Sequence, residues 1–250
     1  MERGFQVERD IVNIFNLKRF IELDVIHRKM INRMFGEVED DEFITASLCS
    51  SISKPDIYIQ VNGVRKYISV KSGSSNSVHS EKLKSLILFL REIGISKKSQ
   101  IILLKFHYGD GTLDGSGDKR YLCDQLMEIM KKDIEQLNKE LNQENIIMKC
   151  LERFVFNGIS EYCGSVDYIY FVRDKVETLT SKKDLINYVR CKDFNYIKKP
   201  HIGPMTIQPY LRDVDRISKH PFKREVVQVK WNGLKFMVGY ANYYAHNKKV

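Results

Sequence analysis

The sequence predicts an α/β fold, a mixed sheet flanked by helices, with helical and C-terminal β elaborations. Three observations predict it. Asn62-Gly63 separates two β-rich runs of alternating polarity, the strongest short hairpin signal available. Apolar residues recur at helical spacing before and after that hairpin. Short apolar runs farther along read as strands.

The elements follow in chain order. Phe5 to about Phe35 carries apolar residues at mostly helical spacing, and the run from Val25 to Met34 continues that helix or follows a bend. Gly36 to Glu42 is acidic and reads as a solvated loop, and Phe43 to Cys49 reads as a strand. In the hairpin, a two-residue type I′ turn sets Val61 opposite Val64, Ile57 opposite Ile68 and Asp56 opposite Ser69. Alternation then gives Ile57, Ile59, Val61, Val64, Ile68 and Val70 one face and Asp56, Tyr58, Gln60, Arg65, Tyr67, Ser69 and Lys71 the other. A Ser/Gly-rich loop follows, then a predicted helix from His79 to Ile95 and a predicted buried strand over Ser99–Phe106. Gly109 to Gly117 breaks the pattern, and it lacks the Gly-Lys-Ser/Thr of a phosphate-binding loop. A polar helical stretch runs from Asp118 to about Phe156. Strands are predicted at Ser165–Val172, Met205–Gln208, Val226–Trp231 and Leu234–Val238, with a helix from Ser181 to Val189. Residues 1–250 read as one domain: a core at 5–107, a helical elaboration at 111–160 and a C-terminal α/β part at 161–250.

Composition narrows the function classes. The 250 residues include 41 Lys+Arg against 32 Asp+Glu, a net charge of +9, so a polyanion is the first partner to consider. A hydrophobic content of 43% excludes wholesale disorder. Five scattered cysteines without a Cys-x-x-Cys pair exclude a zinc ribbon or finger and fit reduced thiols. No stretch approaches the roughly 18 apolar residues that span a bilayer, so no membrane partner is expected. Met1 to Asp10 has no apolar signal core, which makes the cytoplasm the expected compartment.

Chemistry concentrates at the end of the hairpin. Cleaving a phosphodiester requires a divalent cation on hard oxygen ligands, an activated water and positive charge near the scissile phosphate. A carboxylate at the start of one strand, Asp56, and a lysine at the end of its partner, Lys71, meet half of that need. Exposed carboxylate–lysine pairs are common. This one lies on the polar face of a hairpin whose other face is apolar, in a basic chain.

The string Pro55-Asp-Ile-Tyr-Ile-Gln60 with Ile68-Ser-Val-Lys71, in a helix–strand–strand–strand–helix–strand order, resembles the PD-(D/E)XK nuclease superfamily, which includes many restriction endonucleases. The resemblance covers residues 5–107 and implies a restriction-endonuclease-like core. It implies Asp56 as a Mg²⁺ ligand, with Mn²⁺ substituting, and Lys71 as the group that polarises the attacking water or the phosphate. Ser69 departs from the pattern, because the family usually has Asp or Glu there. Relatives with a small residue at that position supply the acid from the next helix, which points to Glu81. A glutamate from the first helix often stands beside the metal in such folds, which points to Glu8. Catalytic roles are therefore expected of Asp56, Lys71, Glu81 and Glu8, with the three carboxylates as metal ligands.

DNA contacts are expected from Ser69, Ser72, Asn76 and His79 near the hairpin, and from Gln208, Arg212, Arg216, Lys219, Lys223 and Arg224 in the C-terminal part. The implied function is metal-dependent hydrolysis of double-stranded DNA by a homodimeric type II restriction endonuclease, two-fold like its site. The alternatives are a non-catalytic nucleic-acid-binding protein with a degenerate nuclease fold, and a nuclease subunit of a larger defence complex.

Overall fold

Asn62 and Gly63 both adopt positive φ, 49° and 77°, the backbone that a type I′ turn demands and that glycine takes without strain. The computed structural model of the chain describes residues 2–50, 52–72, 76–117, 119–159, 164–173, 176–212 and 220–231. The predicted strand at Leu234–Val238 therefore lies outside the described residues, as do Arg216 and Lys219.

In chain order, α1 (Glu2–Phe15), the two-residue β1 (Lys18–Arg19) and α2 (Val25–Phe35) precede β2 (Phe43–Leu48), β3 (Ile57–Val61) and β4 (Val64–Ser72). Next come β5 (Ser77–Lys82), α3 (Leu83–Glu92), α4 (Lys97–Tyr108), α5 (Cys123–Ile129), α6 (Lys131–Leu141) and α7 (Glu144–Leu151). The remainder supplies β6 (Tyr168–Arg173), β7 (Val176–Ser181), α8 (Lys182–Arg190), β8 (His201–Ile202), β9 (Met205–Pro209) and β10 (Val226–Trp231). Two compact units result: Met1–Ser75 with Val155–Tyr188, and Asn76–Phe154 with Val189–Gly233.

The first unit holds a mixed sheet in the order β1-β2-β3-β4-β6-β7, with β4 and β6 parallel and the other neighbours antiparallel. The β3–β4 register pairs Ile57 with Ile68, Ile59 with Lys66 and Val61 with Val64. Ile57, Ile59, Val61, Ile68 and Val70 are buried, and Val64 at the turn is exposed. Ile11 and Phe15 of α1 and Met30, Ile31 and Met34 of α2 complete that core. The second unit holds an antiparallel sheet in the order β5-β10-β9-β8. Val227, Val229, Trp231 and Ile207 bury one face of it, and α3, α4 and α6 contribute Leu86, Phe106 and Leu137 to the buried set. The fold is α/β, with a mixed sheet flanked by helices. Among the described residues no helix is long and apolar enough to cross a membrane.

Three expectations need correction. Ser99–Phe106 is helical within α4, not a strand, and β6 is the parallel neighbour of β4. The Ser96 hydroxyl caps α4 by accepting the Ser99 N–H at 3.2 Å, and Gly109 ends it in the left-handed region at φ 64°. Ser99, Ile102, Leu103 and Phe106 are buried at helical spacing, so the caps and the tertiary pattern override an apolar run that looked strand-like. The predicted His79–Ile95 helix begins only at Leu83; Ser77–Lys82 is a strand that pairs with β10. The long helical stretch is three helices, interrupted at Met130 and again at Asn142–Gln143.

A charge network centred on the buried His27 ties α2 to the far edge of the mixed sheet. His27 Nδ1 lies 2.7 Å from Asp24 Oδ2 and its Nε2 lies 2.9 Å from Glu177 Oε2, which also accepts the Tyr170 hydroxyl. Burial opposes the charge on His27, but Glu177 and Asp24 outweigh it and raise its pKa. The same bonds hold Glu177 and Asp24 below their ordinary values. The histidine's contribution is full below its ordinary value of 6.5 and fades as pH rises through the raised value. The carboxylates contribute above their ordinary values and weaken on acidification. His27→Gln should therefore cost about 1–3 kcal/mol near pH 6, with the deficit shrinking toward pH 9. Urea unfolding across that range checks this, and a pH-independent deficit contradicts it.

Candidate active site

The backbone at Asp56 is pinned from both sides. Its N–H donates to the Ile68 carbonyl at 2.9 Å, and its carbonyl accepts the Cys49 N–H at 2.9 Å. The hairpin register therefore delivers Asp56 beside Ser69, on the polar face that runs on to Lys71. Asp56 Oδ2 accepts the Ser69 hydroxyl at 2.9 Å and the Val70 N–H at 2.6 Å. The Lys71 ammonium donates to Ser69 Oγ at 2.9 Å and to the Val70 carbonyl at 3.1 Å, and lies 3.7 Å from Asp56 Oδ2. Three oxygens thus converge on one cation, and Ser69 bridges acid and base.

Two further charges belong to this cluster. Glu8 of α1 is half-buried; burial and then the negative charge of Asp56 raise its pKa, and Lys71 offsets part of that. Lys54, which sequence reasoning passed over, has its ammonium pushed down to about 7 by burial and by Lys71, with Asp56 pulling the other way. Gly158 leaves room for its stem: a Cβ there would stand 3.3 Å from Lys54 Cβ. The available signal was its position, next to Pro55-Asp56 at the mouth of the hairpin.

Glu81 is placed differently from its expected helical turn. It sits on β5 in the second unit with its side chain fully buried, and Arg153 grips it with Nε at 3.2 Å and Nη2 at 2.7 Å. His79 Nε2 is 3.3 Å from the same carboxylate and its ring lies against Phe154. Burial opposes the charge on Glu81, but His79, Arg153 and Ser85 together hold its pKa at about 2. Within the first unit the structure brings together Glu8, Asp56, Ser69 and Lys71, with Ser72 at the end of the same strand.

The C-terminal candidates separate. Arg224 is taken up by its own surroundings: it donates to the Gly115 carbonyl and to Asp110 Oδ2 at 3.4 Å. Lys223 lies 5.1 Å over the Tyr210 ring. Gln208 and Arg212 are hydrogen-bonded to each other on the second unit's sheet. Asn76 opens that unit, its carbonyl accepting the Trp231 N–H at 2.7 Å.

A divalent cation is consistent with the donor set in the first unit. Mg²⁺ commonly takes one or two carboxylates and completes its shell with water and phosphate oxygens. Asp56 and Glu8 are two such carboxylates, close enough for one to raise the pKa of the other. Among the described residues no group of three or more His, Cys, Asp or Glu side chains is arranged to hold a metal ion. Comparison with protein-family models and with curated protein sequences finds no match to this chain.

Glu81→Ala should unfold more easily by about 2–3 kcal/mol at pH 7, because it strands Arg153 beside a lost partner. Glu81→Met with Arg153→Met should recover part of that loss. Thermal unfolding of both variants is the check, and a single mutant as stable as wild type would deny the pair a structural role.

Proposed function

We propose that the chain is a metal-dependent endonuclease that hydrolyses DNA phosphodiester bonds, with a restriction-endonuclease-like core in its first unit. One observation carries the reading: Asp56 and Lys71, 3.7 Å apart, meet at the end of one hairpin with Glu8 close by. A helical N-terminal segment before the β2–β3–β4 meander, with β6 parallel to β4 in the same sheet, adds support.

In this reading Asp56 and Glu8 would hold Mg²⁺, or Mn²⁺ in its place, and the bound ion would supply Lewis-acid stabilisation at the scissile phosphate. Glu8 is favoured over Glu81 as the second acid, because Glu81 is engaged by Arg153. Water attacks phosphorus, the bond to the 3′ oxygen breaks, and a 3′-hydroxyl and a 5′-phosphate result. Lys71 turns from Asp56 to the phosphate oxygens, where negative charge grows. The attacking water's proton passes to solvent water, and the leaving 3′ oxygen takes a proton up. The context we favour is a homodimeric, cytoplasmic type II restriction enzyme acting on double-stranded DNA.

A second reading has an observation of its own. Ser69 stands where the resemblance calls for an acid, and the Lys71 ammonium already fills the oxygen nest, as a non-catalytic DNA-binding descendant would allow.

Calorimetry with Mn²⁺ in the presence of a non-cleavable DNA duplex separates the two. Binding by wild type, weakened at least tenfold in Asp56→Ala and in Glu8→Ala, is expected for the nuclease. No wild-type binding selects the non-catalytic reading. Lys71→Ala should keep its circular dichroism spectrum while losing cleavage by about two orders of magnitude or more; wild-type cleavage by that variant would refute the role of Lys71.

A further inference from the structure

The face of the second unit's sheet opposite Val227, Val229 and Trp231 is polar. Strand pairing sets Gln228 between Ser80 and Gln208, and Val226 beside Lys82. Ser80, Lys82 and Arg212 are exposed, and Gln208, Gln228 and Lys230 are half-exposed. Toward β8 the same face closes over, where Thr206 and His201 are buried.

The open part is ordered and carries one sign of charge. Arg212 donates to Gln208 Oε1, Gln208 Nε2 donates to Gln228 Oε1 at 3.2 Å, and Gln228 Nε2 donates to Ser77 Oγ at 3.1 Å. The two amides and the Ser77 hydroxyl therefore form one row across three strands. Burial, and after it the neighbouring Arg212, depresses the pKa of Lys230. Among the described residues of β5, β9 and β10, no carboxylate lies on this face to offset it.

We infer that this sheet face is a docking surface for double-stranded DNA, with Lys82, Lys230 and Arg212 on phosphates and the Gln208–Gln228 row on base edges. The inference extends the nuclease reading to a second surface but does not require cleavage. Lysine and arginine suit phosphates, glutamine amides suit the donor–acceptor pattern of a major groove, and β-structure enters that groove in known modes of readout. A single strand fits less well. Its binders stack successive bases on several rings, whereas β5, β9 and β10 put Ser80, Lys82, Gln208, Gln228 and Lys230 on this face. An acidic peptide would answer the cations but leave the amide row without a purpose.

The test is fluorescence anisotropy with a labelled 24-base-pair duplex of mixed sequence in EDTA, over a range of salt concentrations. Lys82→Ala with Lys230→Ala should weaken binding at least tenfold and reduce the slope of log K against log salt by about 2. Lys97→Ala with Lys98→Ala, an exposed pair at the start of α4, should change neither quantity. Circular dichroism and thermal unfolding confirm that both variants fold. Wild-type affinity and slope in the first variant overturn the surface even if the pure chain cuts DNA. DNA binding that depends on Lys82 and Lys230 in a chain that never cuts upholds the surface while the nuclease reading falls. Tighter binding of the single strand, of an RNA duplex or of a polyglutamate peptide than of the DNA duplex overturns the choice of partner.

Discussion

The register of the β3–β4 hairpin is the constraint on which the candidate site depends. Because side chains alternate along a strand, a slip of one residue would exchange the two faces, exposing Ile57, Ile59 and Ile68 and burying Lys71. The turn at Asn62-Gly63 forbids that slip, since both residues must hold positive φ. Apolar burial against α1 and α2 enforces the same register from the other side. The distances at Asp56 are thus consequences of a turn several residues away and of a core on the opposite face.

Ser69 gives the site its particular character. An acid at this position would have set two carboxylates side by side on adjacent strands. The serine instead donates to Asp56 and accepts from Lys71, so the pair is joined through a neutral hydroxyl. Glu8 of α1 adds a further carboxylate to the cluster, its pKa raised first by burial and then by the charge of Asp56. Glu81 is engaged by Arg153 and His79 within the second unit.

What was legible in the sequence was local. The Asn-Gly turn, the alternation around it and the Ser181 helix start depend on a few neighbouring residues and one physical rule each. What was not legible depends on partners distant in the chain. Ser77–Lys82 has no apolar alternation of its own and becomes a strand by pairing with β10, about 150 residues later. The run Ile101-Ile-Leu-Leu104 satisfies both a buried strand and a buried helix, and only the caps at Ser96 and Gly109 decide. Asp56 and Lys71 were visible because the hairpin joins them. Glu8 emerged as a candidate, but its proximity rests on how α1 packs against the sheet, which no spacing reveals. Lys54 needed the burial that Gly158 and its surroundings provide.

The most direct measurement is incubation of the purified chain with supercoiled plasmid in Mg²⁺, followed by gel analysis and labelling of the new ends. Nicked and linear products that carry 5′-phosphates, form with Mg²⁺ or Mn²⁺ and vanish in EDTA are the expected result. Plasmid left intact by the folded chain, with either cation and at every protein concentration tested, would contradict the assignment of Asp56 and Lys71 to phosphodiester hydrolysis.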